Sequence, residues 1–289
     1  MSTRKIYNWQ CRDCTVVLGR RTLVMGILNA TPDSFSDGGD YSDPSAAVDR
    51  ALEMVAQGAD IIDVGGESTR PGADPVSVNE EIRRVVPVIK KIREQSDILV
   101  SIDTMKAETA ARALEAGADI INDISALEAD PRMVDVAAET QAGVVLMHMK
   151  GSPQTMQNNP GYENVAQEVG AYLAERMRFA EQHGVRRECM VVDPGVGFGK
   201  TVEHNLELLR GLPQLAECGR PILIGTSRKS FIGKILNREN PVERLAGSLG
   251  AAAWAVMHGA HILRVHDAID TCDVCGLVDT LLAGERPCS

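Results

Sequence analysis

The chain has 289 residues, with 30 lysines and arginines against 40 aspartates and glutamates, so its formal net charge is −10. This charge and an aromatic content of only 3% argue against a nucleic-acid partner, which needs a basic surface and base-stacking rings. Hydrophobic residues make up 44% of the chain, as in ordinary globular proteins.

The cysteine content and the lack of long apolar runs predict the compartment. Seven cysteines in a chain of this length are too few and too irregular for a disulfide framework. No run approaches the length of a membrane-spanning helix, and the N-terminus lacks the apolar stretch of a signal peptide. We therefore expect a cytoplasmic protein with no membrane partner.

The N-terminal segment does not follow the pattern of the rest of the chain. Thr15–Leu18 and Arg21–Val24 are separated by Gly19 and Arg20, a spacing that predicts a short β-hairpin. We expect this hairpin to cap the bottom of the main domain.

Eight short apolar runs then recur, each closed by a polar or glycine-rich cluster. They are Val24–Asn29, Ile61–Gly65, Ile98–Asp103, Ile120–Asn122, Val144–His148, Met190–Asp193, Ile222–Thr226 and Ile262–His266. Segments with helical periodicity separate them, among them Ser45–Gln57, Val78–Glu94 and Ala107–Glu115. Apolar strands that alternate with helices indicate a parallel sheet covered on both faces. Eight such units predict an α/β fold, a single (β/α)₈ TIM barrel over residues 23–285, with residues 1–22 as its extension.

An internal repeat supports the barrel. Three segments that begin at Gly58, Gly117 and Gly259 each run through an alanine and a polar residue into a strand. Each glycine is placed to end a helix, where a left-handed conformation favours glycine. The repeats end on Asp63, Asn122 and Arg264. These residues therefore fall at the carboxyl ends of the strands, called the rim below, where barrel active sites lie.

Polar side chains accumulate at this rim. They are Asn29, Asp63, Asp103, Asn122, Asp193, Arg264 and His266, with Lys229 on the loop after the seventh strand. Buried carboxylates and amides need hydrogen-bond partners, and a flat ligand rich in N–H donors, such as a pterin ring, would supply them. An internal network of Asp, Lys and Arg without a ligand is the alternative.

A local group of cations contrasts with the acidic chain. Arg264 and His266 share one face of a strand, and Lys229 and Arg70 are expected nearby, which indicates an anionic substrate group. Three of the four phenylalanines also fall on predicted loops at the rim: Phe35, Phe198 and Phe231. They favour a planar or aromatic substrate, with ordinary loop packing as the alternative.

Two other motifs point to chemistry that the residues do not support. Residues 194–201 miss the phosphate-binding Gly-x₄-Gly-Lys-Thr loop, because Pro194 stands where the first glycine is required. This loop is expected instead to bring its backbone close to a flat ring. The Cys-x-x-Cys pairs at Cys11 and Cys272 are predicted at the bottom and the top of the barrel, too far apart to share a zinc ion.

Two long motifs carry a family resemblance. Residues 25–39, Met-Gly-Ile-Leu-Asn-Ala-Thr-Pro-Asp-Ser-Phe-Ser-Asp-Gly-Gly, resemble the first signature of the dihydropteroate synthase family, and residues 63–73 resemble its second. Shorter motifs match in the expected order at Ser101–Thr104, Asn122–Ile124, Asp193–Gly195, Ser227–Ser230 and Arg264–His266. The similarity runs from about Val16 to Leu282.

The resemblance implies a transferase of folate biosynthesis. Such an enzyme joins 6-hydroxymethyl-7,8-dihydropterin diphosphate to 4-aminobenzoate and releases 7,8-dihydropteroate and diphosphate. It also implies Mg²⁺ as cofactor, with Asn29 helping to position the metal, a sulfonamide target, and a homodimer formed through the outer helices of the later units.

The resemblance further implies roles for single residues. The pterin would be held by Asp103, Asn122, Asp193, Lys229, Met147 and Phe198. The diphosphate would lie near Asn29, Arg264 and His266. The aminobenzoate and its loops would involve Phe35, Thr69, Arg70, Pro71 and Ser230. The candidate catalytic residues are Asp103, Lys229 and Asp33, the last on a loop expected to close as a lid.

Three alternatives differ from this prediction in ways that the sequence can address. A corrinoid-linked methyltetrahydrofolate methyltransferase should lack the loop motifs at residues 31–39 and 68–72, and both are present. A non-catalytic pterin-binding paralogue should have lost a lid or anion-binding residue, and none is lost. A metal-dependent barrel hydrolase needs a His and Asp ligand set, but His148 has no His-x-His companion on the first strand.

Overall fold

The structure is a computed structural model that describes residues 4–30, 44–68 and 72–283. An antiparallel hairpin comes first, formed by β1 (Tyr7–Cys11) and β2 (Cys14–Leu18). The parallel strands are β3 (Leu23–Asn29), β4 (Ile61–Gly65), β5 (Leu99–Asp103), β6 (Ile120–Asp123), β7 (Gly143–Met147), β8 (Met190–Asp193), β9 (Leu223–Ile224) and β10 (Ile262–Val265). The helices are α1 (Ser45–Ala56), α2 (Val78–Gln95), α3 (Ala107–Glu115), α4 (Met133–Thr140), α5 (Val165–Gln182), α6 (Val202–Arg210), α7 (Leu212–Leu215), α8 (Ser230–Leu236), α9 (Leu245–Met257) and α10 (Ala268–Ala283).

The parallel strands close into a barrel. Their hydrogen-bonded order is β8-β7-β6-β5-β4-β3-β10-β9, and a parallel bridge between Val192 and Ile222 joins the two ends. The Val192 N–H also donates to the carbonyl of Pro221 at 3.0 Å. The predicted (β/α)₈ barrel is therefore confirmed, whereas its division from an extension at residue 22 and its end at residue 285 stay predictions.

The helices that cover the barrel follow from local sequence. In α2 the buried residues Val85, Val88, Ile89 and Ile92 are spaced at i, i+3, i+4 and i+7, which forms one apolar stripe facing the core. The Ser77 side chain caps this helix by accepting a hydrogen bond from the Glu80 N–H at 3.3 Å. The repeat glycines end their helices with φ values of +98°, +112° and +102° at Gly58, Gly117 and Gly259, as the repeat predicts.

The predicted hairpin has the wrong strands. Residues Tyr7–Cys11 pair with Cys14–Leu18 across a two-residue turn in which Arg12 has a φ of +53°. Leu23 instead pairs in parallel with Ile262 of β10, so the segment after Gly19 and Arg20 already belongs to the barrel. The hairpin therefore turns before Thr15–Leu18, at residues 12 and 13, and not after it at Gly19 and Arg20.

The hairpin plugs the bottom of the barrel, as expected. Trp9 is fully buried with Cys11, Leu18 and the first residues of the parallel strands, and its Nε1 donates to the carbonyl of Cys189 at 2.8 Å. A cluster of this kind closes the N-terminal ends of the strands and leaves the rim as the accessible end of the barrel.

Substitution of Trp9 by alanine is expected to lower the free energy of unfolding by about 3–5 kcal/mol, because it removes a fully buried indole and leaves a cavity. Urea denaturation followed by circular dichroism measures this loss. Val17→Ala on the same hairpin, where the side chain is 42% exposed, is the control and should change stability by less than about 0.5 kcal/mol. Equal stability of the Trp9 variant and the wild type would contradict the plug.

The second cysteine pair lies elsewhere than predicted. Cys272 is on α10, and its Sγ would lie 3.3 Å from a Cβ on Gly58, which precedes β4 at the bottom of the barrel. It is therefore not at the top, because α10 runs back down along the barrel after β10. Cys11 is beneath β7, beside Gly143, so the strands β5 and β6 lie between the two pairs.

None of the helices in the described ranges is long and apolar enough to cross a membrane.

Candidate active site

Four predicted side chains form one hydrogen-bonded network at the rim. Asp103 ends β5 and is paired in register with Asn122 of β6, so both point into the same end of the barrel. Asn122 Nδ2 donates to Asp63 Oδ2 at 3.0 Å. Arg264 bridges the two carboxylates, donating from Nε to Asp63 and from Nη2 to Asp103 at 2.6 Å each.

The network is buried and its charges are strongly coupled. Burial raises the pKa of Asp103, the guanidinium of Arg264 lowers it, and the charge of Asp63 adds to the rise. Burial lowers the pKa of Arg264, but the two carboxylates outweigh that effect and raise it. The sequence analysis gave an internal network without a ligand as the alternative, and such a network is present around Arg264. In it one guanidinium is shared by two carboxylates at the rim.

A second group of predicted residues lies beside this network and has fewer protein partners. Asp193 ends β8, and its Oδ1 accepts a hydrogen bond from the Gly195 N–H at 2.7 Å, while the described residues donate none to Oδ2. Burial raises the pKa of Asp193 to about 6, although Gly195, Lys229 and Arg264 lower it. Asp193 therefore offers a buried acceptor that a ligand can reach.

Lys229 lies between the carboxylates and an aromatic ring. The short strand β9 ends in a tight turn, in which the Lys229 N–H donates to the Thr226 carbonyl at 3.2 Å, and this turn brings the side chain to the rim. Its Nζ is 4.0 Å from the centroid of the Phe198 ring, a cation–π distance. Burial and the charge of Arg264 lower the pKa of Lys229 to about 8, against the opposing effects of Asp193 and Asp103.

An apolar wall completes this side of the site. Met147, at the end of β7, packs with Ile124, Met156 and Phe198, and the half-buried Met105 and Met149 lie against them. Thioether and aromatic groups of this kind suit the face of a planar ring. Met147 and Phe198, which the resemblance assigns to the pterin, therefore share one surface, and the Phe198 ring faces Lys229.

The cationic side of the rim differs from the prediction at one residue. Burial and the charges of Arg264 and Arg228 lower the pKa of His266 to about 4, so its imidazole is neutral near pH 7. Its Nδ1 lies 3.0 Å from Ser227 Oγ, which fixes the ring. Arg228, which the sequence analysis did not single out, is close enough to lower the pKa of His266, and its guanidinium is paired with Asp267. Asn29 ends β3 and is half-buried.

The remaining predicted positions are divided between surface, core and undescribed chain. Ser230 is exposed at the start of α8, whereas Phe231 is buried within α8 and packs in the core, so the expectation that Phe231 lies on the rim is wrong. Its position in the first helical turn directs it inward. Five predicted residues lie outside the described part of the chain: Asp33, Phe35, Thr69, Arg70 and Pro71.

Two further buried side chains lie behind Asp193: Lys200, whose role sequence reasoning missed, and His148, which it considered as a metal ligand but favoured as a packing or hydrogen-bonding residue. Lys200 Nζ lies 3.0 Å from His148 Nδ1, and both residues are less than a tenth exposed. Burial and the charge of Lys200 lower the pKa of His148 to about 3, so His148 is a neutral hydrogen-bonding residue. The signal for Lys200 was its place in the glycine-rich motif, which pointed to phosphate binding.

Comparison with known proteins identifies the family. The sequence pattern of a family described as "Pterin binding enzyme" matches residues 25–266. The dihydropteroate synthase of Synechocystis sp. is 48% identical over 263 residues, which cover 91% of each chain.

Solved structures give the same result. A Xanthomonas albilineans dihydropteroate synthase with 4-aminobenzoic acid superposes with a TM-score of 0.90 at 43% identity, covering 96% of this chain and 99% of that one. A Yersinia pestis dihydropteroate synthase in a sulfonamide drug complex superposes with a TM-score of 0.89 at 40% identity, with the same coverage.

Proposed function

The chain belongs to the dihydropteroate synthase family, and on that premise we propose how its described residues carry out the reaction. The enzyme is a transferase that joins 6-hydroxymethyl-7,8-dihydropterin diphosphate to 4-aminobenzoate in folate biosynthesis, and the family is a sulfonamide target. The observation that supports the residue roles is the convergence of Asp103, Asn122, Asp193 and Lys229 at one rim, beside the apolar wall of Met147 and Phe198.

The pterin binds between the apolar wall and the carboxylates. Its ring packs against Met147 and Phe198, and its N–H edge donates to Asp193 and to the network that holds Asp103 and Asn122. Lys229 donates to an acceptor of the pterin, because the described residues accept no hydrogen bond from its Nζ. Buried groups that lack protein partners gain most from a ligand that completes their hydrogen bonds.

The carboxylates also serve the chemical step. As the C–O bond to the diphosphate breaks, its electron pair leaves with the diphosphate and positive charge develops on the pterin methylene carbon. The charges of Asp103 and Asp193 stabilise this cation in a buried site, where fixed charges act strongly. The neutral amine of 4-aminobenzoate then forms the C–N bond and loses a proton. No side chain forms a covalent intermediate in this scheme.

Arg264 and His266 act at the leaving diphosphate. Arg264 donates two of its five N–H groups to Asp63 and Asp103, so the others can contact phosphate oxygens. His266 contributes as a neutral ring, since its pKa is near 4. The charge on this side of the site therefore comes from Arg264, since the guanidinium of Arg228 is paired with Asp267.

The Mg²⁺ that the family resemblance implies would find few protein ligands among the described residues. Within the described ranges, no group of three or more His, Cys, Asp or Glu side chains can hold a metal ion. Mg²⁺ often takes only one or two protein oxygens and completes its shell with water and substrate phosphates. The amide oxygen of Asn29, half-buried at the end of β3, is such a donor and would hold the ion. When bound, Mg²⁺ supplies charge neutralisation of the diphosphate.

A separate group of residues is assigned to the aminobenzoate and its loops. We assign this role to Ser230 at the start of α8, together with Phe35, Thr69, Arg70 and Pro71, and we assign lid closure to Asp33. Ser230 is exposed and directly follows Lys229, which we assign to the pterin.

The pH dependence of kcat/KM for the pterin substrate is expected to be bell-shaped. Asp103 and Asp193 must be ionised, and burial raises both pKa values, that of Asp193 to about 6, so activity falls on the acid side. Lys229 must be protonated, so activity also falls as the pH rises through about 8. Lys229→Arg is expected to remove the part of the alkaline limb that falls at about pH 8, because arginine stays charged across this range. Steady-state rates measured from about pH 5.5 to 9.5 test this. An unchanged alkaline limb in the arginine variant would exclude Lys229 as its source.

We propose a homodimer formed through the helices of the later units. Exposed apolar side chains concentrate there, at Ile235, Leu236, Trp254, Met257, Leu277 and Leu281. Sedimentation equilibrium should give twice the chain mass for the wild type and the chain mass for Ile235→Asp/Leu236→Asp. A monomeric wild type at micromolar concentration would contradict this interface.

We also assign the enzyme to the cytoplasm. The six cysteines among the described residues all carry free thiols, as expected in a reducing compartment. This includes Cys11 and Cys14, which lie opposite each other in the hairpin without forming a disulfide.

A further inference from the structure

The lysine of the glycine-rich motif points into the protein. Lys200 is 3% exposed, and its Nζ donates to the carbonyls of Gly195 at 2.9 Å and Phe198 at 3.0 Å. Its third neighbour is His148 Nδ1 at 3.0 Å, which can accept because the ring is neutral. A lysine ammonium has three N–H donors, so all three are in use and none is left for a phosphate.

The loop that Lys200 holds has an unusual backbone. Gly195, Gly197 and Gly199 have φ values of +67°, +86° and +61°. A Cβ on Gly195 would lie 1.8 Å from the His148 carbonyl, so this loop is pressed against the end of β7. This backbone conformation turns the carbonyls of Gly195 and Phe198 toward the buried Nζ of Lys200. Without Lys200 both carbonyls would lose this donor inside the protein.

The same loop carries two elements of the proposed pterin site. The Gly195 N–H donates to Asp193 Oδ1 at 2.7 Å and thereby fixes the carboxylate. The Phe198 ring faces Lys229 Nζ at 4.0 Å. Lys200 therefore donates to two carbonyls of the loop that carries both the hydrogen-bond donor of Asp193 and the Phe198 ring.

Lys200 also contributes to the charge balance of the site. The buried carboxylates Asp63, Asp103, Asp123 and Asp193 are accompanied here by the cations Arg264, Lys229 and Lys200. Burial lowers the pKa of Lys200 to about 7, so its ammonium is charged at pH 6, where Asp193 titrates. Its charge, like those of Lys229 and Arg264, lowers the pKa of Asp193.

We propose that Lys200 is a positioning residue of the pterin site, which fixes the loop 194–199 so that Asp193 and Phe198 meet the pterin, and which supplies a cation behind Asp193. The inference rests on the proposed pterin contacts of Asp193 and Phe198. In this proposal the glycine-rich motif shapes the pterin pocket through the buried side chain of Lys200.

The test compares Lys200→Met with Lys150→Met. Lys150 is an exposed lysine on the neighbouring loop, where its Nζ bonds to the Gly161 carbonyl and lies 4.3 Å from the Tyr162 ring. Lys200→Met is expected to weaken dihydropterin binding about tenfold to a hundredfold, because two buried carbonyls lose a charged donor. The KM for 4-aminobenzoate should change less than about twofold, because the altered loop lies on the pterin side. Lys150→Met removes a charge that also acts on Lys200 but leaves the three hydrogen bonds of Lys200 in place, so it should change both quantities less than about twofold.

A pH profile separates positioning from a purely structural role. The groups that face Asp193 are Lys229, Arg264, Lys200 and the Gly195 N–H, and those that face Lys200 are His148, Lys150, Lys229 and Asp193. Loss of the Lys200 charge leaves Asp193 with a higher pKa, so the acid limb of kcat/KM should move to higher pH in Lys200→Met. Lys200→Gln, which keeps amide donors without the charge, should show the same pH shift with a smaller loss of affinity.

The outcomes are distinguishable. A lower kcat with unchanged pterin affinity and an unchanged acid limb in Lys200→Met would overturn the inference, as would failure of both Lys200 variants to fold, which would make Lys200 a folding residue. If the wild type and Lys150→Met bind no dihydropterin, the proposed site itself fails, and the inference falls with it.

Discussion

Arg264→Met is expected to lower the free energy of unfolding by about 3–5 kcal/mol and to abolish measurable turnover, because it leaves two buried carboxylates without their shared cation. Arg264 contacts both Asp63 and Asp103 at 2.6 Å, and Asp63 is fully buried. The pKa of Asp103 rises further in the variant, so the stability loss should be larger at alkaline than at acidic pH, where protonation removes its charge. Urea denaturation at several pH values measures it.

Two further variants isolate the cause of this loss. Arg264→Met/Asp63→Asn/Asp103→Asn should regain much of the stability, because no uncompensated buried charge remains, but it should stay inactive. Arg112→Met removes an exposed arginine that pairs with Glu108 and Glu115, and it should change stability by less than about 1 kcal/mol. Wild-type stability in Arg264→Met would contradict the charge network that the structure shows.

Asp193→Asn is expected to lower pterin affinity and kcat/KM by about a hundredfold or more, because a buried charged acceptor becomes a neutral amide. The fold should be retained, since the amide oxygen can still accept from the Gly195 N–H. The raised pKa of Asp193 shows that its charge is unfavourable in the free protein, so the variant should be at least as stable as wild type at pH 7. Dihydropterin titration and thermal denaturation give the two quantities.

Asp123→Asn is the matched control for this prediction. Asp123 is also a buried carboxylate at the rim, but its oxygens accept from the Ser125 N–H at 2.7 Å, the Ser125 hydroxyl at 2.6 Å and the Leu127 N–H at 2.9 Å. It holds the loop after β6, so its substitution should cost stability with little change in pterin affinity. The opposite pattern, with Asp123→Asn losing pterin and Asp193→Asn binding normally, would show that the two roles are reversed.

The barrel could be predicted because its strands are short apolar runs that end on polar residues. Ile61–Gly65 and Met190–Asp193 were predicted with the observed bounds. The hairpin was predicted in the wrong place, because Gly19 signals a bend but not which segments pair. The observed turn has a positive φ at Arg12, a conformation that an arginine gives little reason to expect.

The membership of the site was predictable from strand ends, but its internal pairing was not. Asp103, Asn122, Asp193 and Arg264 all end or nearly end strands, and a barrel brings such residues to one rim. The bridging of two carboxylates by Arg264 depends on side-chain directions from β4, β5 and β10, which sequence spacing does not give. The neutrality of His266 and the inward direction of Lys200 depend in the same way on burial.

Diphosphate release measured with 6-hydroxymethyl-7,8-dihydropterin diphosphate and Mg²⁺, with and without 4-aminobenzoate, tests the central claim most directly. The account predicts release that depends on 4-aminobenzoate and an equal amount of 7,8-dihydropteroate. Tight pterin binding without turnover would contradict it and would identify the chain as a pterin-binding protein that has kept the barrel but lost the reaction.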